Sequence, residues 1–211
     1  DCEGFDIICQ LTYSNLHDPY LNSLMIYLLG KIGSERHDDG CGFICSDNKI
    51  WKSASAAKNI LNLGNIININ VIDDKPVPFH IRMATWGIDV TKENAHPFTG
   101  KHFILMHNGT LLPRDGKEPV DKKKDSDSLK FLKSLDECKD ISPQGTFEEI
   151  FNAAMANFAG KFAFIIREKE TNNDYIVRGR TAELWISKFT YDKIDKGYII
   201  NTSKDTMKES F

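Results

Sequence analysis

The 211-residue sequence lacks several features that would place it in a specialised class of protein. It has no run of about 18 or more apolar residues, the minimum for a membrane-spanning helix, and no basic-then-apolar leader of the kind that directs secretion. Its net charge is only −3, and the one basic run, the lysines at 122–124, is flanked by aspartates. We therefore expect a cytosolic protein with neither a membrane nor a nucleic acid as partner.

Cysteines and histidines are also not arranged as metal ligands. The cysteines are five in number, odd and irregularly spaced, at Cys2, Cys9, Cys41, Cys45 and Cys138. They lack the paired CxxC layout of a structural zinc site, so we expect reduced thiols. The histidines at positions 80, 96, 102 and 107 lack the short helical or loop spacing that converges ligands. We predict no metal and no other cofactor.

The composition, 41% hydrophobic and 27% charged, is typical of one globular domain with a substantial core. Apolar periodicity predicts a mixture of strands and helices without internal repeats. Helices are predicted at 20–29, at 54–63, after a cap in Ser126-Asp127-Ser128, and after a Thr146/Glu149 capping box. Strands are predicted at 5–13, 41–45, 49–53, 77–85, 101–108, 161–168, 174–179, 183–189 and 198–203.

The segment KHFILMHNGTL at 101–111 is open to two interpretations. Asn-Gly is a strong turn signal, so Asn108-Gly109 favours a hairpin between this buried strand and the segment that follows it. Separately, 77–85 and 101–108 are predicted to be paired core strands joined by a loop. The alternative for Asn108-Gly109 is an oxyanion hole, because an Asn side-chain amide and a neighbouring backbone N–H are the two donors that such a site needs. Other polar residues have to decide between them.

Two charged residues favour the second interpretation. Arg82 lies among apolar residues in PFHIRMAT, where a guanidinium is costly to bury unless it meets an anion such as a carboxylate. Asp127 is placed to cap a helix, and the same carboxylate could accept hydrogen bonds from an ammonium group. A structural ion pair and a simple cap remain the alternatives. Together with oxyanion donors, these groups predict a pocket for an amino acid with a side-chain carbonyl, such as glutamine.

The motifs RHDDGCG, HIRMAT, ENAHPF, HNGTL and SDS occur in the order and spacing of the glutaminase domain of class II glutamine amidotransferases. GKFAFIIRE, VRGR and INTSKD also resemble later strands of that family. The resemblance implies an α+β fold of the N-terminal-nucleophile (Ntn) hydrolase type, a four-layer α/β/β/α sandwich of two antiparallel sheets between helices. It also implies a Cys nucleophile that attacks the glutamine amide, with the Cys α-amine as base and a thioester intermediate.

Two cysteines are candidates for the nucleophile. Cys9 in CQLTY resembles the opening strand of the family and suits its spacing to the later motifs, so Cys9 is favoured and Cys2 is the alternative. Cys9 is internal, which implies that residues 1–8 are an N-terminal extension, either a propeptide or an expression remnant. Residues 9–211 are then the glutamine amidotransferase type 2 domain.

The resemblance also implies roles for other residues. Arg82 corresponds to the ligand of the glutamine α-carboxylate, Asp127 to that of the α-amino group, and Asn108 with Gly109 to the oxyanion hole. Further members of the expected site are His80 and Thr85 near the substrate, with Arg36, Asp39 and His107 as support. The implied reaction converts L-glutamine to glutamate and ammonia, which passes to a separate synthase chain or a missing domain. A non-catalytic binding module and an amidase for another linear amide remain alternatives.

Overall fold

The computed structural model describes residues 9–45, 47–62, 76–83, 90–114 and 126–209. The chain forms ten strands and five helices within these ranges. The first part contains β1 (Gln10–Leu16), α1 (Pro19–Gly33), β2 (Cys41–Ile44), β3 (Ile50–Ser53), α2 (Ala57–Ile60), β4 (Val77–Ile81), β5 (Phe98–Thr99) and β6 (Phe103–Pro113). The second part contains α3 (Asp127–Ile141), α4 (Phe147–Met155), β7 (Phe158–Glu168), β8 (Asp174–Arg178), β9 (Trp185–Tyr191), β10 (Ile194–Asn201) and α5 (Lys204–Glu209).

The strands form two antiparallel sheets. One has six strands in the order β3-β2-β4-β1-β10-β9, and the other has four in the order β5-β6-β7-β8. β1, near the start of the chain, therefore lies between β4 and the last strand, with Thr12 opposite both Phe79 and Asn201. All the pairings are antiparallel, which confirms the predicted fold class.

Apolar side chains fill three spaces between four layers. Leu11 and Tyr13 of β1 meet Ile104 and Met106 of β6 in a cluster between the sheets. α1 and α5 cover the outer face of the six-stranded sheet, where Leu29 belongs to a cluster with residues of β1 and β10. The outer face of the four-stranded sheet packs on α3 and α4 through a phenylalanine-rich cluster. The order of layers is thus helix, sheet, sheet, helix.

The predicted helix starts are largely confirmed, and each has a local cause. Asp18 accepts hydrogen bonds from the first N–H groups of α1, and Pro19 occupies its first turn. Ser126 caps α3, so Asp127 is the first residue of that helix rather than its cap. The Thr146/Glu149 capping box is present at α4. Within the described part of 54–63, only Ala57–Ile60 is helical.

One strand prediction is wrong, and one of the two interpretations of Asn108-Gly109 is excluded. Asn108-Gly109 is not a hairpin turn, because β6 continues through it to Pro113 and pairs with β7 throughout. The segments 77–85 and 101–108 are not paired either: β4 belongs to the six-stranded sheet and β6 to the four-stranded one. β4 and β6 approach each other from the two different sheets, where His80 Nε2 donates to the His107 carbonyl. Of the other strand predictions, the beginning of 5–13 and the end of 77–85 lie outside the described residues.

Candidate active site

The site forms where β1, β4 and β6 approach one another from two sheets. Cys9 immediately precedes β1 and Arg82 immediately follows β4, while Asn108 lies within β6. Side chains alternate between the faces of a strand, so Cys9 shares the inward face with Leu11 and Tyr13. Asn108 shares its face with Ile104 and Met106 in the same way. The fold therefore directs these residues into the space between the sheets.

The Cys9 thiol is partly exposed and forms hydrogen bonds with the backbone that follows β4. Its Sγ accepts a hydrogen bond from the Met83 N–H at 3.3 Å and donates towards the Met83 carbonyl at 3.4 Å. Burial raises the pKa of Cys9, whereas the positive charge of Arg82 lowers it and the negative charge of Asp127 raises it. The thiol therefore lies within electrostatic reach of both predicted substrate ligands, and it needs a base to become a thiolate.

Arg82 has the features of an anion-binding side chain. Only 5% of its surface is exposed, and no acceptor among the described residues meets its Nη1 atom. Burial lowers the pKa of Arg82, and the nearby charges of Cys9 and Asp39 raise it. Its backbone N–H donates to the Gly40 carbonyl, and its carbonyl accepts from the Asp39 N–H. The turn before β2 thus fixes the main chain of Arg82 and leaves part of the guanidinium for another partner.

Asp127 joins the start of α3 to β6. One carboxylate oxygen accepts from the Leu111 N–H at 2.7 Å, and the other accepts from the Ser128 N–H at 2.8 Å. The side chain is still 31% exposed. A carboxylate offers about four acceptor positions, so this one retains capacity for an ammonium donor.

Asn108 and Gly109 occupy the middle of β6. The Asn108 Nδ2 atom crosses between the sheets to donate to Thr202 Oγ1 at 2.9 Å. Gly109 has a φ of 137°, and a Cβ there would lie 2.0 Å from the Lys161 carbonyl oxygen. Only glycine fits this conformation without strain. The Asn-Gly pair therefore marks an irregularity inside a strand.

Three histidines form a buried cluster behind these residues. His80 Nε2 donates to the His107 carbonyl at 3.1 Å, and the rings of His80 and His96 have centroids 4.3 Å apart. Ser128 Oγ lies 2.9 Å from His107 Nδ1 and 3.3 Å from His96 Nε2. Burial lowers the pKa of His80 to about 3 and that of His107 to about 4, and it places that of His96 well below its usual range. All three are neutral at pH 7.

The remaining predicted residues differ in where they lie. Asp39 is near Arg82, and its negative charge raises the pKa of Arg82. Arg36 instead forms an ion pair with Glu209 of α5 at 2.6 Å, with 41% of the Arg36 side chain exposed. His80 is fully buried and contacts other histidines. Cys2 and Thr85 lie outside the described residues.

Sequence patterns placed Ser128 and Thr202 in the motifs SDS and INTSKD but assigned neither residue a role in the site. Thr202 follows β10 and contacts both β1 and β6, and Ser128 joins His96 to His107. The signals available were a polar pair, Asn201-Thr202, at the end of an apolar strand, and a serine directly after Asp127. Neither pattern reveals which distant strand the side chain meets.

No described helix has both the length and the apolar character needed to cross a membrane. Within the described ranges, no group of three or more His, Cys, Asp or Glu side chains is arranged to hold a metal ion.

The layers, sheet orders and strand pairings are those of an α+β sandwich of the Ntn-hydrolase type, and solved structures share this fold. One solved structure that shares it is glutamine phosphoribosylpyrophosphate amidotransferase from B. subtilis, complexed with ADP and GMP. The match has a TM-score of 0.64 and 14% identity, and it covers 96% of this chain and 43% of that chain. A second is an allosteric regulatory enzyme of purine biosynthesis, with a TM-score of 0.65, 15% identity and the same two coverages.

The chain spans 43% of the length of each of these two structures. No family model matches the sequence, and no curated protein matches it. The likeness therefore concerns the fold, and the chemistry has to be argued from the residues of the site.

Proposed function

We propose that this protein hydrolyses L-glutamine to glutamate and ammonia, with Cys9 as the nucleophile. The observation that carries the proposal is the Arg82 guanidinium. It is almost fully buried, close enough to influence the Cys9 thiol, and its Nη1 atom meets no acceptor in the described part of the chain. A buried guanidinium of this kind is suited to a substrate carboxylate.

The proposed chemistry follows from the groups around Cys9. The thiol attacks the side-chain amide carbon of glutamine, and the thiol proton passes to a base. The carbonyl oxygen becomes an oxyanion stabilised by Asn108 Nδ2–H and the Gly109 N–H. Collapse breaks the C–N bond, the base returns the proton to the leaving nitrogen as ammonia, and water hydrolyses the thioester to glutamate. Arg82 holds the α-carboxylate and Asp127 the α-ammonium.

The raised pKa of Cys9 supports a requirement for a base next to the thiol. The α-amine of Cys9 would serve if residues 1–8 were removed, because a free amine at that position is joined to the thiol by only two carbons. We therefore include removal of residues 1–8 in the proposal. Cys2 remains the alternative nucleophile.

The ammonia acceptor is proposed to lie outside residues 9–211, as a separate chain or a further domain. The greater length of both structural neighbours is consistent with additional domains in proteins that share this fold. The four described cysteines are all free thiols, which supports a reducing compartment such as the cytosol.

Intact-mass spectrometry combined with an ammonia-release assay tests the proposal. The protein is produced with residues 1–8 and without a tag, and its mass is determined before and after incubation. A chain that begins at Cys9 and releases ammonia from glutamine is the expected result. A chain that retains residues 1–8, binds glutamine and releases no ammonia would establish a binding module instead. Release from another linear amide but not from glutamine would reassign the substrate.

A further inference from the structure

The hydroxyl group of Thr202 connects the two halves of the proposed site. Thr202 is only 3% exposed and directly follows β10. Its Oγ1 accepts hydrogen bonds from the Leu11 N–H at 3.0 Å and from Asn108 Nδ2 at 2.9 Å, and it donates towards the Cys9 carbonyl at 3.5 Å. One side chain thus contacts the strand of the nucleophile and the proposed oxyanion donor.

The hydrogen-bonding capacity of this hydroxyl is fully used. A threonine hydroxyl has one proton to donate and two lone pairs that accept. The Leu11 N–H is a fixed donor, and the Cys9 carbonyl is a fixed acceptor, because both belong to the backbone. The remaining lone pair therefore requires a donor from Asn108.

This requirement sets the orientation of the Asn108 amide. If the amide were flipped, its oxygen and the Cys9 carbonyl would compete for the single Thr202 proton, and one Thr202 lone pair would have no donor. With Nδ2 facing Thr202, all three bonds form. One N–H of Asn108 is then used by Thr202, and the other, about 120° away in the amide plane, is directed elsewhere and remains for a reacting oxygen.

We propose that Thr202 is a positioning residue that fixes the Asn108 amide as an oxyanion donor and holds the main chain of Cys9 beside it. This inference rests on the proposed glutamine hydrolysis for its catalytic consequence, but the hydrogen-bond arrangement itself is independent of that reaction. Thr202 does not touch the substrate; it acts through Asn108 and through the backbone of β1.

Kinetics of two Thr202 variants test the inference in protein that begins at Cys9. Thr202→Val keeps the shape and removes the hydroxyl, so we expect kcat to fall about 10- to 100-fold, somewhat less than the loss of a whole oxyanion donor. KM for glutamine should change less than about threefold. Thr202→Ser keeps the hydroxyl and should restore kcat to within about threefold of the wild type. Thr190→Val makes the same chemical change on an exposed residue of β9 and should have no effect.

A double variant separates positioning from general structural support. If Thr202 acts through Asn108, Thr202→Val should lower kcat in the wild type but cause almost no further loss in an Asn108→Ala background. Additive losses would overturn the inference, as would an unchanged kcat in Thr202→Val. Thermal melting of each variant verifies that rates refer to folded protein.

A measurement without turnover covers the case in which the wild type does not hydrolyse glutamine. The side-chain NH₂ signals of Asn108, assigned by their absence in Asn108→Ala, are followed by ¹⁵N-edited NMR in the full chain. Slow hydrogen exchange in the wild type and in Thr202→Ser, with fast exchange in Thr202→Val, is expected. Identical exchange in all three would overturn the inference, whereas the expected pattern without hydrolysis would reject only the proposed function.

Discussion

The environment of the Cys9 thiol favours its protonated form, and this determines how the residue can act. Burial raises the pKa of Cys9 more than Arg82 lowers it. Reactivity then depends on a nearby base rather than on a preformed thiolate. In the proposed function, Cys9 is therefore a thiol that needs its own α-amine as base, in contrast to a preformed thiolate, which reacts with any electrophile.

Replacing the thiol gives the first prediction. Cys9→Ala should abolish ammonia release and covalent labelling by the glutamine-like electrophile diazo-oxo-norleucine, since the attacking atom is absent. Cys2→Ala should retain both. Labelling is followed by the mass increase of the intact chain. Full activity in Cys9→Ala together with its loss in Cys2→Ala would move the nucleophile to Cys2.

Arg82 should affect binding more than turnover. Losing a charge-assisted hydrogen bond costs about 1.5–3 kcal/mol, so Arg82→Ala should raise the KM for glutamine by about 10- to 150-fold. Lys133→Ala removes a cation that is 80% exposed and serves as the control. Steady-state kinetics with both variants test this prediction. An unchanged KM in Arg82→Ala would show that Arg82 does not bind the α-carboxylate of glutamine.

At the scale of single residues, the kind of partner that a side chain needs could be inferred from the sequence better than the residues that it contacts. A guanidinium within an apolar segment needs an anion, so the sequence alone singled out Arg82 as a candidate anion-binding residue, and its burial agrees with that reasoning. Thr202 could not be singled out in this way, because its role depends on β1 and β6, which are distant in sequence. The location of Arg36 at the surface also depends on a distant partner, Glu209.

At the scale of elements, β6 shows most clearly where local sequence propensity and the observed structure differ. Its Asn-Gly pair has the composition of a turn, yet the eleven residues Phe103–Pro113 remain paired with β7. Local propensity was overridden by pairing along the whole strand. Helices were predicted better, because the caps of α1, α3 and α4 depend only on neighbouring residues.

The continuity of β6 makes Asn108 a test of catalysis rather than of turn formation. Asn108→Ala should lower kcat by roughly 10²–10³, the typical loss for one oxyanion donor, with little change in KM. The strand ladder uses backbone groups and should persist. Circular dichroism and turnover are measured on the same samples. A destabilised variant with intact turnover per folded molecule would contradict the oxyanion role.

Gly109 should instead be needed for folding. In Gly109→Ala the new Cβ meets the Lys161 carbonyl at 2.0 Å, and the φ of 137° is unfavourable for any L side chain. We expect a loss of at least about 1–3 kcal/mol in the free energy of unfolding. In the control Gly179→Ala, the nearest contact is the Phe162 ring at 3.1 Å, and a side chain can move. Urea unfolding of both variants measures the difference, and equal stabilities would show that the strand relaxes around Gly109.

The assignment of strands to sheets was the part of the fold least accessible from the sequence. β4 and β6 have similar apolar patterns and are close together in the sequence, which suggests pairing. They lie in different sheets because β4 pairs with β1 and β2 instead. Which strands pair depends on contacts between segments far apart in sequence, and a local pattern contains no such information.

At the scale of the whole molecule, the histidine cluster should make stability depend on acid. His80, His96 and His107 have pKa values lowered below 6.5 in the fold, whereas they regain ordinary values on unfolding. Arg82 and Lys52 add positive charge nearby, and Asp127 partly opposes it. Below about pH 6.5 the unfolded state therefore binds more protons than the folded state.

The stabilising contribution of these neutral histidines is complete above pH 6.5 and should be lost as the pH falls towards 4. Each histidine contributes a slope of about 1.4 kcal/mol per pH unit. Urea unfolding at intervals from pH 7.5 to 4.5 measures the slope, and His96→Gln should make it shallower. A slope that is unchanged in His96→Gln would contradict the assignment to this cluster.

The position of β1 between β4 and β10 also determines when, during synthesis of the chain, the surroundings of Cys9 can form. The residues that complete the surroundings of Cys9, Asn201 opposite Thr12 and Thr202 beside Leu11, are synthesised long after Cys9 itself. A growing chain cannot form this centre of the sheet, because β1 can pair with β10 only after β10 has been synthesised. The surroundings of the Cys9 thiol therefore stay incomplete until β10 has been synthesised.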